Sequence, residues 1–246
     1  MLESLSAKSI VAVEAHPDDV ELGCLGTLLA YQHFLEARIT IAALTLGDRA
    51  LTPGTTKSPK EISAERFEEA TAVANQLNGE FRYLGQKDCY TEYSPANPAV
   101  EKLTRLLRDT KADLVIAPPP RDYHHDHHMA SQIAEHACVL AITPAIFQDS
   151  QPLLRSPRML HMDPITGLGA QPTVYIDISQ FFEKKCELLR IHKSQMEYMA
   201  NWASWDLVEY AKIVNRFRGL QSGVKYAEAF SPVLSYSRLR PESNLP

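Results

Sequence analysis

The chain has 246 residues, 45% hydrophobic and 22% charged, with a net charge of −5 and a pI near 6.0. That is enough to bury a real core, and the acidic balance without any basic run argues against nucleic acid or an anionic membrane as partner. No apolar stretch approaches membrane-spanning length, and the first residues lack the apolar core of a secretory signal.

Ser9–Ala15, "SIVAVEA", is a β-branched apolar run that predicts a buried strand. Val20–Leu35 carries apolar residues at helical spacing, and Ala37–Gly47 reads as a second strand. Strand, helix and strand in about forty residues make the βαβ unit of a parallel sheet. Arg49–Lys60 is polar and rich in Thr, Pro and Gly, so it reads as a loop. A helix is expected over Ser63–Asn78 with Ser63 as N-cap, then a short strand in "EFRYLG". Asn97–Thr110 suits a helix opened by Pro98, and Ala112–Pro120 a strand stopped by three prolines. A helix follows "RDYHHDHH", and Asp149–Gln171 reads as irregular. Thr173–Ser179 alternates like a strand, Gln180–Met199 is an amphipathic helix, and Trp205–Leu220 looks like another. The alternation predicts an α/β fold, a Rossmann-like, doubly wound and mostly parallel sheet with helices on both faces. One domain is expected over 1–246, with a helical part at 180–220 packed on it. Cys24, Cys89, Cys138 and Cys186 are scattered without a CxxC pair, which points to reduced thiols and a cytoplasmic location.

Two clusters of ionisable residues interrupt this pattern, and each directly follows a strand. The first is "HPDDVE", His16–Glu21. An imidazole and carboxylates are donors that a divalent ion such as Zn²⁺ accepts, and a catalytic zinc takes three protein ligands plus water. In a tight turn after Pro17, one aspartate can ligate while its neighbour faces the metal-bound water. The plainer reading is a capping turn, with Asp18 or Asp19 as N-cap and Glu21 favouring the positive helix end. The second cluster holds four of the nine histidines within His124–His128. His-rich tracts point to metal binding, although Asp126 also suits a helix cap. In a parallel sheet both clusters open on the same edge, where such folds bind ligands.

These residues resemble the PIG-L/LmbE family of zinc-dependent N-deacetylases. Its His-Pro-Asp-Asp-x-Glu motif is matched by His16, Pro17, Asp18, Asp19 and Glu21. Its His-Pro-Asp-His motif stands here as His124, His125, Asp126 and His127, with histidine in place of proline. Arg66, Glu69 and Ala70 are similar to an Arg-x-x-Glu-Ala helix, and His192, Ser194 and Gln195 to a His-x-Ser-Gln segment; "YAEAF" near the end is also similar. The resemblance implies that His16, Asp19 and His127 ligate one Zn²⁺ and that Asp18 is the general base. It further implies that His124 stabilises the oxyanion or protonates the leaving amine, and that Asp126 supports the histidines. If the loop shifted by one position, His125 and His128 would replace His124 and His127. Arg66, Asp48 and His192 are candidate substrate contacts, each with a plainer structural reading. Trp202 and Trp205 read first as packing residues and second as sugar platforms. The implied substrate is an N-acylated small molecule, an N-acetylglucosamine-type sugar or glycoconjugate. The family contains multimers, so a homo-oligomer is an expectation. Rival readings are another metal-dependent amidase or phosphoesterase, and a non-catalytic metal or sugar binder. A nucleotide-binding protein fits poorly, since no GxGxxG follows the first strand.

Overall fold

The computed structural model describes residues 7–235. The outer ends of the expected domain, 1–6 and 236–246, lie outside the described residues. A seven-stranded sheet runs through the molecule: β1 (Ser9–Glu14), β2 (Arg38–Ala43), β3 (Glu80–Tyr83), β4 (Leu114–Ala117), β5 (Arg158–Met162), β6 (Val174–Asp177) and β7 (Ala227–Pro232). Its order is β3-β2-β1-β4-β5-β7-β6. The first five strands are parallel, and β7 runs antiparallel between β5 and β6.

The helices are α1 (Asp19–Gly23), α2 (Leu25–Leu35), α3 (Pro59–Gln76), α4 (Pro98–Thr110), α5 (His125–Ala141), α6 (Phe182–Leu189), α7 (Lys193–Ala203) and α8 (Leu207–Ser222). Every residue of β1 is buried, as expected of a central parallel strand covered on both faces. Alternate side chains separate the two faces. Ile10 and Ala12 pack with Leu25 and Leu28 of α2 and Val73 and Leu77 of α3. Val11 and Val13 pack with Leu103 and Leu107 of α4 and Ile133 and Ala137 of α5. A smaller cluster of Leu189, Met199, Leu207 and Ala211 joins α6, α7 and α8. No helix among the described residues is long and apolar enough to cross a membrane.

Five features differ from the sequence reading. Helix α3 starts four residues before Ser63, because Ser58-Pro59-Lys60-Glu61 is a capping box: Ser58 Oγ accepts from Glu61 N, and Glu61 Oε2 accepts from Ser58 N at 2.8 Å. The expected helix over Val20–Leu35 is broken at Cys24 into α1 and α2. The expected helix over Gln180–Met199 is broken between Leu189 and Lys193. Strand β5 lies inside the stretch expected to be irregular, and β7, not anticipated as a strand, holds the "YAEAF" residues.

Candidate active site

The sheet changes winding direction between β1 and β4, which are neighbours. Loops leaving the carboxyl ends of two strands at such a switch point enclose a crevice. His16 lies two residues past β1, and His124 follows β4 after three prolines that end the strand.

The first loop is a turn built from carboxylates. Asp19 Oδ2 accepts the N–H groups of Ala15 at 3.1 Å and His16 at 2.9 Å, and Glu14 Oε2 accepts that of Val20 at 3.2 Å. Asp18 takes a left-handed conformation with φ 119°. Such a conformation in a non-glycine residue costs about 1–3 kcal/mol and persists where surrounding contacts impose it. The contact here is Arg66, whose Nη2 donates to Asp18 Oδ1 at 3.0 Å and to the Pro17 carbonyl at 2.6 Å. Its Nη1 donates to Gln195 Oε1 at 2.7 Å and to the Gly47 carbonyl. Gly47 has φ +63°, and a Cβ there would sit 2.5 Å from the guanidinium, so the close approach requires glycine.

The second loop runs into α5, whose N-cap is His124. Its Nδ1 accepts the Asp126 N–H at 3.2 Å, so Nε2 carries the proton of the neutral ring. Helical spacing places His124 and His127 on one side and turns His125 and His128 away. His125 Nε2 donates to the Thr91 carbonyl at 2.9 Å, and His128 Nε2 meets the backbone of Asp122. His124 and His127, not His125 and His128, therefore face His16, with ring centroids 4.7 and 5.4 Å from it.

Three donors converge. His127 Nε2 is 3.3 Å from Asp19 Oδ1, and His16 Nδ1 is 3.6 Å from Asp19 Oδ2. Ligands about 2.0–2.1 Å from a tetrahedral Zn²⁺ stand about 3.3 Å apart. Asp19 meets that spacing to each histidine through a different carboxylate oxygen. Among the described residues, the groups whose donor atoms all lie within 4.8 Å of one another are His16, His124 and His127, and His16, Asp88 and Asp126. The opposite ring nitrogens are backed by carboxylates: His16 Nε2 by Asp88 at 3.2 Å and Asp126 at 3.3 Å, and His127 Nδ1 by Asp122 at 3.2 Å. This carboxylate–histidine pattern is what fixes the orientation of metal-ligating imidazoles. The ring nitrogens of His16, His124 and His127 also lie within 4.8 Å of one another, so His124 is within reach of the same point.

The electrostatics suit a cation. Burial would raise Asp19, but His127 and His16 hold it well below the ordinary carboxylate range. Burial would lower His127, but Asp19 and Asp122 raise it to about 9. Burial would likewise lower His16, yet Asp126, Asp19 and Asp88 keep it well above its usual value. Without a metal these anions therefore hold protons on the two imidazoles. A divalent ion at the facing nitrogens would replace those protons. His124 differs: burial and the neighbouring His16 and His127 push it down, leaving it a neutral N–H donor. Burial raises Asp18 to about 7 against the pull of Arg66.

The cleft above these groups has a volume of about 280 Å³, and its lining includes His16, Asp18, Asp19, Arg66, His124 and His127. Asp48 is not among the lining residues. Its neighbours Gly47 and Arg49 are, while the Asp48 carboxylate lies 3.8 Å from Arg49 Nε. His192 is not a lining residue either. The break between α6 and α7 turns it inward, fully buried, with Nε2 3.1 Å from Glu21 Oε1 at ion-pair distance but misaligned for a hydrogen bond. Asp126 is buried behind His16, where it also accepts the N–H groups of Cys89 and Thr91, so it positions rather than touches substrate. Arg66 reaches the cleft, but its hydrogen bonds go to the protein. Asp88 was not singled out from sequence as part of the site, and Asp122, at the head of the second ionisable cluster, had no role assigned. The available signal was that Asp88, like the two clusters, follows a strand on the same sheet edge.

The span matching the family model "PIG-L: GlcNAc-PI de-N-acetylase" is residues 11–138, which includes both loops. A diacetylchitobiose deacetylase of Thermococcus kodakarensis is 27% identical over 234 residues, covering 90% of this chain and 81% of that protein. Among solved structures, an N,N'-diacetylchitobiose deacetylase from Pyrococcus horikoshii superposes with a TM-score of 0.80 at 23% identity, over 93% of this chain and 85% of the other. The 4-carboxy-2-hydroxymuconate hydratase of Pseudomonas putida KT2440 superposes with a TM-score of 0.82 at 20% identity, over 97% and 100%. Identities this low show a shared fold alone. The family match carries more weight, because it runs from β1 through the His16 turn to the helix bearing His127 and takes in more than half of the residues. The chain belongs to the PIG-L family of de-N-acetylases.

Proposed function

We propose that this protein hydrolyses the N-acetyl group of an amino sugar or glycoconjugate, releasing acetate and a free amine, with Zn²⁺ held by His16, Asp19 and His127. The observation carrying this reading is the convergence of those three donors beside Asp18, a carboxylate held apart by Arg66. Bound there, zinc supplies Lewis acidity, polarising the acyl carbonyl and bringing the pKa of water from 15.7 to about 7.

The remaining work falls to the chain. Asp18 faces the cleft and accepts a proton from the attacking water; Arg66 fixes its position. A base poised near neutrality suits this task. His124 presents its Nε2–H toward the cleft, where a neutral donor favours the developing oxyanion. The proton taken by Asp18 is passed to the departing nitrogen, so water and amide become acetate and amine. Asp88, Asp122 and Asp126 fix the tautomers of the two ligating histidines. The free thiols Cys24, Cys89 and Cys186 suit a reducing compartment, and we place the protein in the cytoplasm.

The test is acetate release from a panel of N-acetylated sugars, before and after chelation, with zinc added back. Chelator-sensitive release restored by zinc supports the assignment. Failure on every N-acetyl substrate, alongside water addition to an unsaturated tricarboxylate such as 4-carboxy-2-hydroxymuconate, would move the protein to the hydratase chemistry that the same fold also carries.

A further inference from the structure

A second, smaller cavity of about 30 Å³ adjoins the cleft. Asp19, His127 and Tyr210 are among the residues lining both, whereas Asp122 and Asn215 line the smaller one alone. Three buried atoms around it find no hydrogen-bond partner among the described residues: Tyr210 Oη, Asn215 Oδ1 and Asp122 Oδ2. Bulk solvent does not reach them. Asn215 is 3% exposed and the Asp122 side chain 1%. A buried polar atom without a partner is costly, and three around one cavity call for a shared one.

The balance of donors and acceptors identifies the occupant. Asn215 Nδ2 donates to the Ala227 carbonyl at 3.1 Å, which fixes Oδ1 as the unpaired atom. Two acceptor oxygens and one hydroxyl ask for a group that donates twice and accepts once. Water does so, and a buried water makes about three hydrogen bonds. One water needs about 10–15 Å³ of such space, so this cavity holds one and leaves room for a second. An anion would face two acceptors. A bare cation would want about six oxygens, and the other carboxylates of the wall are taken. Arg218 holds Asp163, and Lys185 with the Gly26 and Thr27 amides holds Glu228. The rest of the wall is largely apolar, with Met162 and Val214 among its members.

The other oxygen of Asp122 is already engaged. Oδ1 stands 3.2 Å from His127 Nδ1 and accepts the His124 N–H at 3.1 Å. A carboxylate held at one oxygen can still turn. A hydrogen bond at the other fixes its plane, and with it the His127 ring. Building on the proposed metal site, we infer that an internal water joining Tyr210 Oη, Asn215 Oδ1 and Asp122 Oδ2 locks that carboxylate against His127. Tyr210 and Asn215, both on α8, are thus positioning residues of the metal centre, acting through the water and Asp122 in turn.

Crystals of the metal-free and the zinc-loaded protein should each show an ordered water within about 3.2 Å of all three oxygens. Tyr210→Phe removes the hydroxyl and keeps the ring that stacks on Trp205 at 5.6 Å. It should weaken zinc binding about fivefold, less than the roughly 10–100-fold cost of losing a histidine's backing carboxylate. It should also move the visible absorption bands of the Co²⁺-substituted protein. In an Asp122→Ala background the same substitution should change neither readout, because the link is already cut. A general loss of packing would act in both backgrounds. No water at these oxygens, native zinc affinity in Tyr210→Phe, or an equal loss in the Asp122→Ala background would overturn the inference. Acetate release is not among these readouts, so the two readings fail separately. Coupled, zinc-binding protein that releases no acetate from any sugar sinks the reaction and keeps the water. Zinc-dependent release with an uncoupled Tyr210 does the reverse.

Discussion

Arg66 Nη2 lies 3.0 Å from Asp18 Oδ1, with both side chains almost fully buried. The same guanidinium reaches Gln195, while Glu69, one helical turn along α3, accepts the N–H of Ser194 at 3.0 Å and its hydroxyl at 2.6 Å. Two sequence motifs more than a hundred residues apart thus clasp each other behind the proposed base. Removing Arg66 strands a buried carboxylate, and breaking such a pair costs about 3–5 kcal/mol. Arg66→Ala should lower the thermal midpoint by several degrees and reduce turnover. Arg66→Lys should restore part of the stability but little activity, since an ammonium cannot span Asp18, Pro17 and Gln195 at once. Paired denaturation and rate measurements check this; an Arg66→Ala protein of native stability and rate would leave the clasp without consequence.

Asp18→Asn preserves size and most hydrogen bonding while removing the proton acceptor. Its turnover should fall by about 10²–10⁴, with zinc content unchanged. Metal analysis beside single-turnover acetate release separates a lost base from a lost ion. Near wild-type release would reassign the base.

The histidine register makes a sharp contrast. His16→Ala and His127→Ala should each reduce bound zinc well below one ion per chain. His125→Ala should leave the stoichiometry intact, because His125 serves only the Thr91 carbonyl in the described contacts. Asp122→Asn should weaken zinc binding about 10–100-fold without abolishing it, as loss of a histidine's backing carboxylate does. Equilibrium dialysis of the four variants checks the whole set.

Metal and proton compete at His127. Metal-free, its pKa stands at about 9, raised from an ordinary 6.5. A raised histidine stabilises the fold fully below its unfolded value and loses that contribution as pH climbs through the folded one. The chelated protein should therefore lose thermal stability between about pH 6.5 and 9. Zinc affinity should move the opposite way, tightening by at least about tenfold per pH unit over that range as protons are displaced from His127 and His16. Calorimetric titrations at three pH values in the window, with parallel melts of the chelated protein, test both slopes.

The sheet's parallel half was legible because β1, β2 and β4 are β-branched runs buried on both faces, a pattern few other elements share. Strand β5, "RMLHM", carries two methionines and no β-branched residue, so its strand character comes from its place beside β4. The break before α7 has no glycine or proline to announce it. It forms because Glu69, from another helix, binds the Ser194 amide that an uninterrupted helix would have used internally. Hence His192, read from its segment as a candidate substrate contact, is buried beside Glu21. The histidine pair His124 and His127 was named from sequence through the family resemblance alone, with His125 and His128 as the alternative register; in the structure, helical spacing sets His124 and His127 on the side of α5 that faces His16. Asp88 was not: it sits alone in a polar loop, and its pairing with His16 depends on how the strand ends gather.

Glu228 of β7 gives the site an order of assembly. Its carboxylate accepts the Gly26 and Thr27 amides at the start of α2, and it pairs with Lys185, which also binds the Leu22 carbonyl. The segment just after Asp19 is therefore fastened by a residue made more than two hundred positions later. During translation the turn proposed to bind zinc emerges early and must wait, unfastened, until β7, the last strand of the described sheet, has left the ribosome. Shortened chains ending before β7 should accordingly fail to retain metal even though every ligand is present.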